Sequence, residues 1–165
     1  MALTKLGPQD ANTIGNLPAV GSSAPDFTLT SNDMKDVSYR EFAGKNIVLN
    51  IFPSVDTGIC SASVREFNKR VASMENTVVL CISKDLPFAQ KRFCGAEGID
   101  KALTLSDYRN RGFGKSYGVE LTDSGFVGLF ARAVVVIDPA GKVKYTELVP
   151  QIGQEPNYDA AVKAI

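Results

Sequence analysis

The chain has 165 residues, enough for one domain whose hydrophobic core folds without a disulfide or a metal ion. Its 18 lysines and arginines balance 18 acidic residues, so its charge favours neither a nucleic acid nor an anionic membrane surface as a partner. The chain contains no histidine, which excludes Ser-His-Asp and Cys-His nucleophile pairs and histidine-based metal sites.

The predicted elements alternate between strands and helices along the chain. Residues 1–20 contain turn signals around short extended pieces and predict an N-terminal hairpin arm. Short apolar runs then predict strands, and an apolar spacing of three and four residues or a proline in the first turn predicts helices. The predicted strands are 27–29, 46–52, 77–83, 102–105, 133–137 and 142–149. The predicted helices begin at Thr57, at Pro87, at Asp107 (reaching about Tyr117) and at Tyr158.

This order predicts a single α/β domain over residues 1–165, with a mixed central sheet flanked by helices. That is the thioredoxin-like arrangement, although the pattern also allows other three-layer folds. No apolar run has the length of a signal peptide or a membrane span, and three cysteines are too few for a secreted disulfide scaffold. We therefore expect a cytoplasmic protein with reduced thiols.

Several motifs fail on inspection. Gly114-Lys115-Ser116 resembles the end of a phosphate-binding loop, but Arg109 stands where the motif needs a glycine. The cysteines at 60, 81 and 94 have no C-x-x-C spacing, so neither a zinc site nor a thioredoxin-type dithiol is expected.

The segment from Pro53 to Cys60 lies between a predicted buried strand and a predicted helix. A cysteine in the first helical turn faces unpaired N–H groups and the positive end of the helix dipole, which favour a thiolate without any histidine. Thr57 can direct a hydroxyl at whatever the sulfur attacks, and Pro53 donates no N–H and can shield the sulfur from water. Most buried cysteines merely pack, as we expect of Cys81, but this spacing favours a reactive Cys60.

The Pro-x-x-x-Thr-x-x-Cys run of Pro53, Thr57 and Cys60 resembles the active-site signature of the peroxiredoxins. Four longer stretches resemble the bacterial thiol peroxidase branch of that family, and the resemblance extends from about residue 21 to residue 161. These stretches are 49–54, 78–90, 92–98 and 131–138.

The resemblance implies a thioredoxin-fold peroxidase that reduces hydrogen peroxide and organic hydroperoxides to water and alcohols. It implies that Cys60 is the peroxidatic cysteine, that Thr57 and Arg132 bind its thiolate and the peroxide, and that Pro53 shields it. Cys94 matches the resolving cysteine, which forms an intrachain disulfide that thioredoxin reduces. The resemblance further implies that no cofactor or metal is used and that the protein forms a homodimer.

Two alternatives remain open from the sequence. Cys60 could serve a redox-sensing module without turnover, or an external thiol could resolve it and leave Cys94 idle. A disulfide needs Cα atoms within about 7 Å, and the two cysteines lie on different strand–helix units, so we expect both helix ends to unwind on oxidation. Phe93, Phe126, Leu129 and Phe130 could line an apolar approach for alkyl hydroperoxides, but we expect a core role for each.

Overall fold

The computed structural model describes all residues, Met1–Ile165, and contains nine strands, four α-helices and one 3-10 helix. The strands are β1 Leu3–Leu6, β2 Gln9–Asn12, β3 Thr28–Thr30, β4 Asp36–Ser38, β5 Asn46–Ile51, β6 Thr77–Ser83, β7 Leu103–Ser106, β8 Ala133–Ile137 and β9 Val143–Leu148. The helices are α1 Gly58–Val71, α2 Pro87–Glu97, α3 Phe113–Ser116 and α4 Tyr158–Lys163, with the 3-10 helix at Tyr39–Phe42. None of these helices is both long and apolar enough to cross a membrane.

Seven strands form one mixed sheet in the order β4-β3-β7-β6-β5-β8-β9. The three neighbours β5, β6 and β7 are parallel, and the other pairs are antiparallel. Strands β5 and β8 are buried on both faces because helices or loops cover each face of the sheet there. The predicted thioredoxin-like arrangement, with a mixed sheet between helices, is confirmed.

The core consists of one apolar layer on each face of the sheet. On one face, Val64, Phe67 and Val71 of α1 pack against alternate residues of the central strands, together with α4. On the other face, aromatic side chains that include Phe113 and Phe130 cover the remaining residues of the same strands. The alternation of side chains along each strand therefore supplies both layers.

The N-terminal hairpin is also confirmed, and it docks near the other end of the chain. Strands β1 and β2 pair antiparallel. The Lys5 N–H donates to Pro150 O at 3.0 Å, and the Ile152 N–H donates to Lys5 O at 2.9 Å. The buried Thr4 hydroxyl adds a bond to Val149 O at 2.7 Å. The arm is therefore part of the packed structure.

The predicted helix from Asp107 to Tyr117 is wrong over most of its length, because only Phe113–Ser116 is helical. The Asp107 carboxylate instead accepts from the Arg111 N–H at 3.0 Å and closes a turn. Asn110 at φ 54° and Gly112 at φ 93° adopt left-handed backbone conformations, which no α-helix can include. The short strand β4 and the 3-10 helix were not predicted.

Candidate active site

Cys60 lies in the first turn of α1, at the edge of the sheet where the parallel strands β5 and β6 end. Thr57 is the N-cap of this helix, and its Oγ1 accepts from the Cys60 N–H at 3.4 Å. The first turn contains no acidic side chain. The positive end of the helix dipole therefore lies beside the Cys60 sulfur.

The Cys60 side chain is completely buried. Its hydrogen-bond partner is Arg132, the residue that directly precedes β8. The Arg132 Nη2 donates to Cys60 Sγ at 3.2 Å, and its Nε donates to Ile152 O at 2.7 Å. The structure therefore brings together a thiol and a guanidinium that lie far apart in the sequence.

Arg132 is only 1% exposed and forms no ion pair with a carboxylate. Its Nη1 has no hydrogen-bond partner. A buried cation without an anion is costly, and the Cys60 sulfur is the group placed to supply the negative charge. Cys60 Sγ and Ile152 O are therefore the two acceptors that this buried guanidinium contacts.

A cavity of about 140 Å³ lies beside the start of α1, and Arg132, the partner of Cys60, is in its wall. Pro53, Thr57 and Arg132 line it, so the structure gathers these predicted residues around Cys60. The rest of the lining is mainly apolar and comes from separate parts of the chain: Leu6, Gly58, Ile59, Phe126, Ile152 and Gly153.

Cys94 lies on α2 and has different neighbours. Its half-buried Sγ is 3.5 Å from Thr104 Oγ1, beside a second cavity of about 420 Å³. Both Cys60 and Cys94 are free thiols, so this structure represents the reduced form of the protein.

Cys81 is the third free thiol and is buried in β6. Burial raises its pKa to about 12, although the Asn50 amide 3.7 Å away partly opposes the shift. A thiol that keeps its proton in this way is a poor nucleophile, in agreement with a packing role.

Sequence reasoning missed several residues of the site. Leu6 and Ile152 reach the cavity only through the docking of the hairpin arm, which no local pattern indicates. For Phe126 a core role was preferred to a place on the substrate approach, but the structure places it in the cavity wall. Nowhere do histidine, cysteine or acidic side chains form a group of three that could hold a metal ion.

A thioredoxin-like fold with a buried cysteine at a helix N-terminus, bonded to a guanidinium, defines a cysteine-based redox protein. Comparison with known proteins is more specific. The redoxin family matches residues 19–162. The thiol peroxidase of Mycobacterium bovis is 56% identical over 100% of this chain and 99% of that protein, and the thiol peroxidase of Corynebacterium glutamicum is 51% identical with the same coverage.

A solved structure of a peroxiredoxin-like protein from Aquifex aeolicus superimposes with a TM-score of 0.92 at 36% identity, covering 99% of this chain and 96% of that one. The chain therefore belongs to the redoxin family, in the bacterial thiol peroxidase branch of the peroxiredoxins. It is an enzyme, a peroxidase, and not a redox-sensing module without turnover.

Proposed function

We propose that the protein reduces hydrogen peroxide and organic hydroperoxides at Cys60. The thiolate attacks one oxygen of the O–O bond, and the bond electrons leave with the other oxygen, which takes up a proton. The products are a Cys60 sulfenic acid and water or an alcohol. The observation that carries this proposal is the buried Arg132, which donates to the sulfur and has no carboxylate partner.

Arg132 and Thr57 supply the donors that this reaction needs. The unpaired Nη1 of Arg132 is available to a peroxide oxygen beside the sulfur. The Thr57 hydroxyl donates to Ser54 O at 3.2 Å and can rotate toward a bound peroxide. Fixed donors around the developing charge lower the barrier without any histidine. Pro53, on the cavity wall, offers no competing N–H.

The cavity supports the choice of substrates. Its apolar lining, which includes Leu6, Phe126 and Ile152, suits the carbon chain of an organic hydroperoxide. Hydrogen peroxide needs only the polar end formed by Thr57 and Arg132.

We assign resolution to Cys94, which condenses with the sulfenic acid, releases water and forms an intrachain disulfide. In the reduced form the two thiols bond to different partners, Arg132 and Thr104. We expect the first turn of α1 and the end of α2 to unwind when the disulfide forms, because both sulfurs must leave these partners and bring their Cα atoms within about 7 Å. Amide hydrogen exchange of the reduced and oxidised forms tests this unwinding. Loss of protection at residues 57–64 and 88–96 on oxidation supports it, and equal protection in both forms contradicts it.

We further propose thioredoxin as the reductant, a homodimer as the assembly and the cytoplasm as the location. The similarity to thiol peroxidases supports a thiol reductant such as thioredoxin, because the oxidised enzyme must be reduced before the next turnover. Exposed apolar side chains near the active-site edge, among them Leu86 and Phe88, support a dimer. Three free thiols suit a reducing compartment.

The test is to add one equivalent of hydroperoxide to the reduced protein, block the remaining thiols and identify the cysteine states by mass spectrometry. A Cys60–Cys94 disulfide with Cys81 free supports the full mechanism. An oxidised Cys60 with Cys94 still free would show that an external thiol resolves the sulfenic acid. A Cys94→Ser variant that still turns over with thioredoxin would show the same. An unchanged Cys60 overturns the proposal.

A further inference from the structure

The Asp85 carboxylate collects three hydrogen bonds and has no cationic partner. Its Oδ1 accepts from the Ser54 hydroxyl at 2.7 Å. Its Oδ2 accepts from the Val55 N–H at 2.9 Å and from the Ser83 hydroxyl at 2.6 Å. Hydrogen bonds to an ionised acceptor are shorter and stronger than neutral ones, so this carboxylate holds its three donors firmly.

Two of these donors lie in the loop that leads to Cys60. The carbonyl of Ser54 accepts from the Thr57 N–H at 3.3 Å and from the Thr57 hydroxyl at 3.2 Å. Thr57 in turn caps the helix and accepts from the Cys60 N–H. Asp85 therefore acts on the Cys60 helix through a continuous series of hydrogen bonds.

The third donor connects Asp85 to the helix that carries Cys94. The Ser83 Oγ accepts from Nε2 of Gln90, a completely buried residue of α2, at 3.1 Å. The same Nε2 donates to Leu105 O at 3.0 Å. Cys94 follows Gln90 by one helical turn, so one network joins the segments that carry the two proposed redox cysteines.

We propose that Asp85 is a positioning residue that holds residues 53–57 in the peroxide-reactive geometry and whose bonds open before Cys94 reaches Cys60. The inference rests on the proposed function. Asp85 then speeds the oxidation of Cys60 and slows its condensation with Cys94.

The condensation rate decides the fate of the sulfenic acid. Condensation joins the two sulfurs and releases water. In competition, a second hydroperoxide transfers an oxygen to the sulfenic acid, giving a sulfinic acid and an alcohol. By keeping the site closed, Asp85 raises the share of sulfinic acid formed in excess peroxide.

Two variants of Asp85 separate positioning from charge. Asp85→Ala removes the acceptor for all three donors. Asp85→Asn can retain the Val55 and Ser83 bonds through its amide oxygen, while its NH₂ donates to a rotated Ser54 hydroxyl. Asp33→Ala is the matched control, because it removes an exposed carboxylate for which the structure shows no hydrogen bond or ion pair.

The experiment measures Cys60 oxidation and disulfide formation separately by rapid quench, together with the yield of sulfinic acid. We expect Asp85→Ala to slow oxidation by about 10- to 100-fold, as small misplacements of reacting groups do. We expect its disulfide to form faster from the sulfenic acid and its sulfinic yield to fall. Asp85→Asn should recover most of the oxidation rate, and Asp33→Ala should match the wild type.

Because the disulfide needs local unwinding, a general loss of stability could also slow oxidation and speed condensation. Leu29→Ala, which destabilises the opposite apolar layer and touches no part of the site, is therefore a second control and should leave both rates near the wild-type values. The inference is overturned if Asp85→Ala oxidises Cys60 at the wild-type rate. It is also overturned if Asp85→Ala slows both Cys60 oxidation and disulfide formation. If Asp85→Ala fails to fold, the Ser54→Ala variant tests the same link, and unchanged amide exchange at residues 55–60 overturns it. A wild-type protein that oxidises Cys60 but forms no Cys60–Cys94 disulfide overturns the assignment of resolution to Cys94 and not the role of Asp85, because amide exchange at residues 55–60 still tests whether Asp85 holds this segment.

Discussion

Replacing Arg132 with methionine tests the central electrostatic argument. The variant keeps an apolar stem of similar shape and removes both the Nη2 bond to the Cys60 sulfur and the unpaired Nη1. Loss of one preorganised donor slows related reactions by roughly 10²–10³-fold, and paired effects are not additive, so we expect roughly 10³-fold slower Cys60 oxidation. An Arg132→Lys variant keeps the charge without the planar fork and should lose about 10²-fold.

Stability should change little in the same variant. The carbonyl of Ile152 loses the Nε donor, which costs about 1 kcal/mol, but a buried charge is removed as well. Because the chain has no tryptophan, the rate is best followed by rapid-quench alkylation and mass spectrometry. Arg40→Met, at a largely exposed arginine, is the control. A folded Arg132→Met protein that oxidises within tenfold of the wild type would refute the reasoning.

Three further predictions concern stability. Phe67 is completely buried, so Phe67→Ala should lower the free energy of unfolding by about 3–5 kcal/mol in urea titrations, and a loss below about 1 kcal/mol contradicts the packing described. Gly118 has φ +67° and an added Cβ would lie 2.2 Å from Asn16 O, so Gly118→Ala should lower the melting temperature markedly, whereas Gly95→Ala, with open space around its Cβ, should not. Burial raises the pKa of Cys81 from 9.0 to about 12, so the unfolded thiol ionises first and stability falls as pH rises across that interval. Cys81→Ala should show a shallower fall, and superimposable pH profiles for the two proteins would argue against it.

Local patterns were sufficient for much of the fold. The apolar runs in β6 and β8 matched the observed bounds, because central strands are buried on both faces and their sequence shows it. The helix from Asp107 failed because Asn110 and Gly112 adopt left-handed conformations. An apolar period does not reveal such a break.

The residues of the site also differ in whether a local sequence pattern could predict them. Thr57 and Cys60 were predictable because they lie within one helical turn of each other. Arg132 was assigned only through resemblance to a family, since no local spacing relates it to Cys60. Asp85 was not singled out, because its role depends on two loops that the parallel pairing of β5 and β6 places side by side.

The docking of the hairpin arm has a consequence for the order of folding. Arg132 is held by the carbonyl of Ile152, whose own N–H is bonded to Lys5 in β1. The guanidinium therefore reaches its final position only when segments from near both ends of the chain have met, and contacts of such long sequence separation form late. During refolding, the circular dichroism of the sheet should return before peroxidase activity does. A nascent chain whose last residues are still inside the ribosome should be inactive for the same reason.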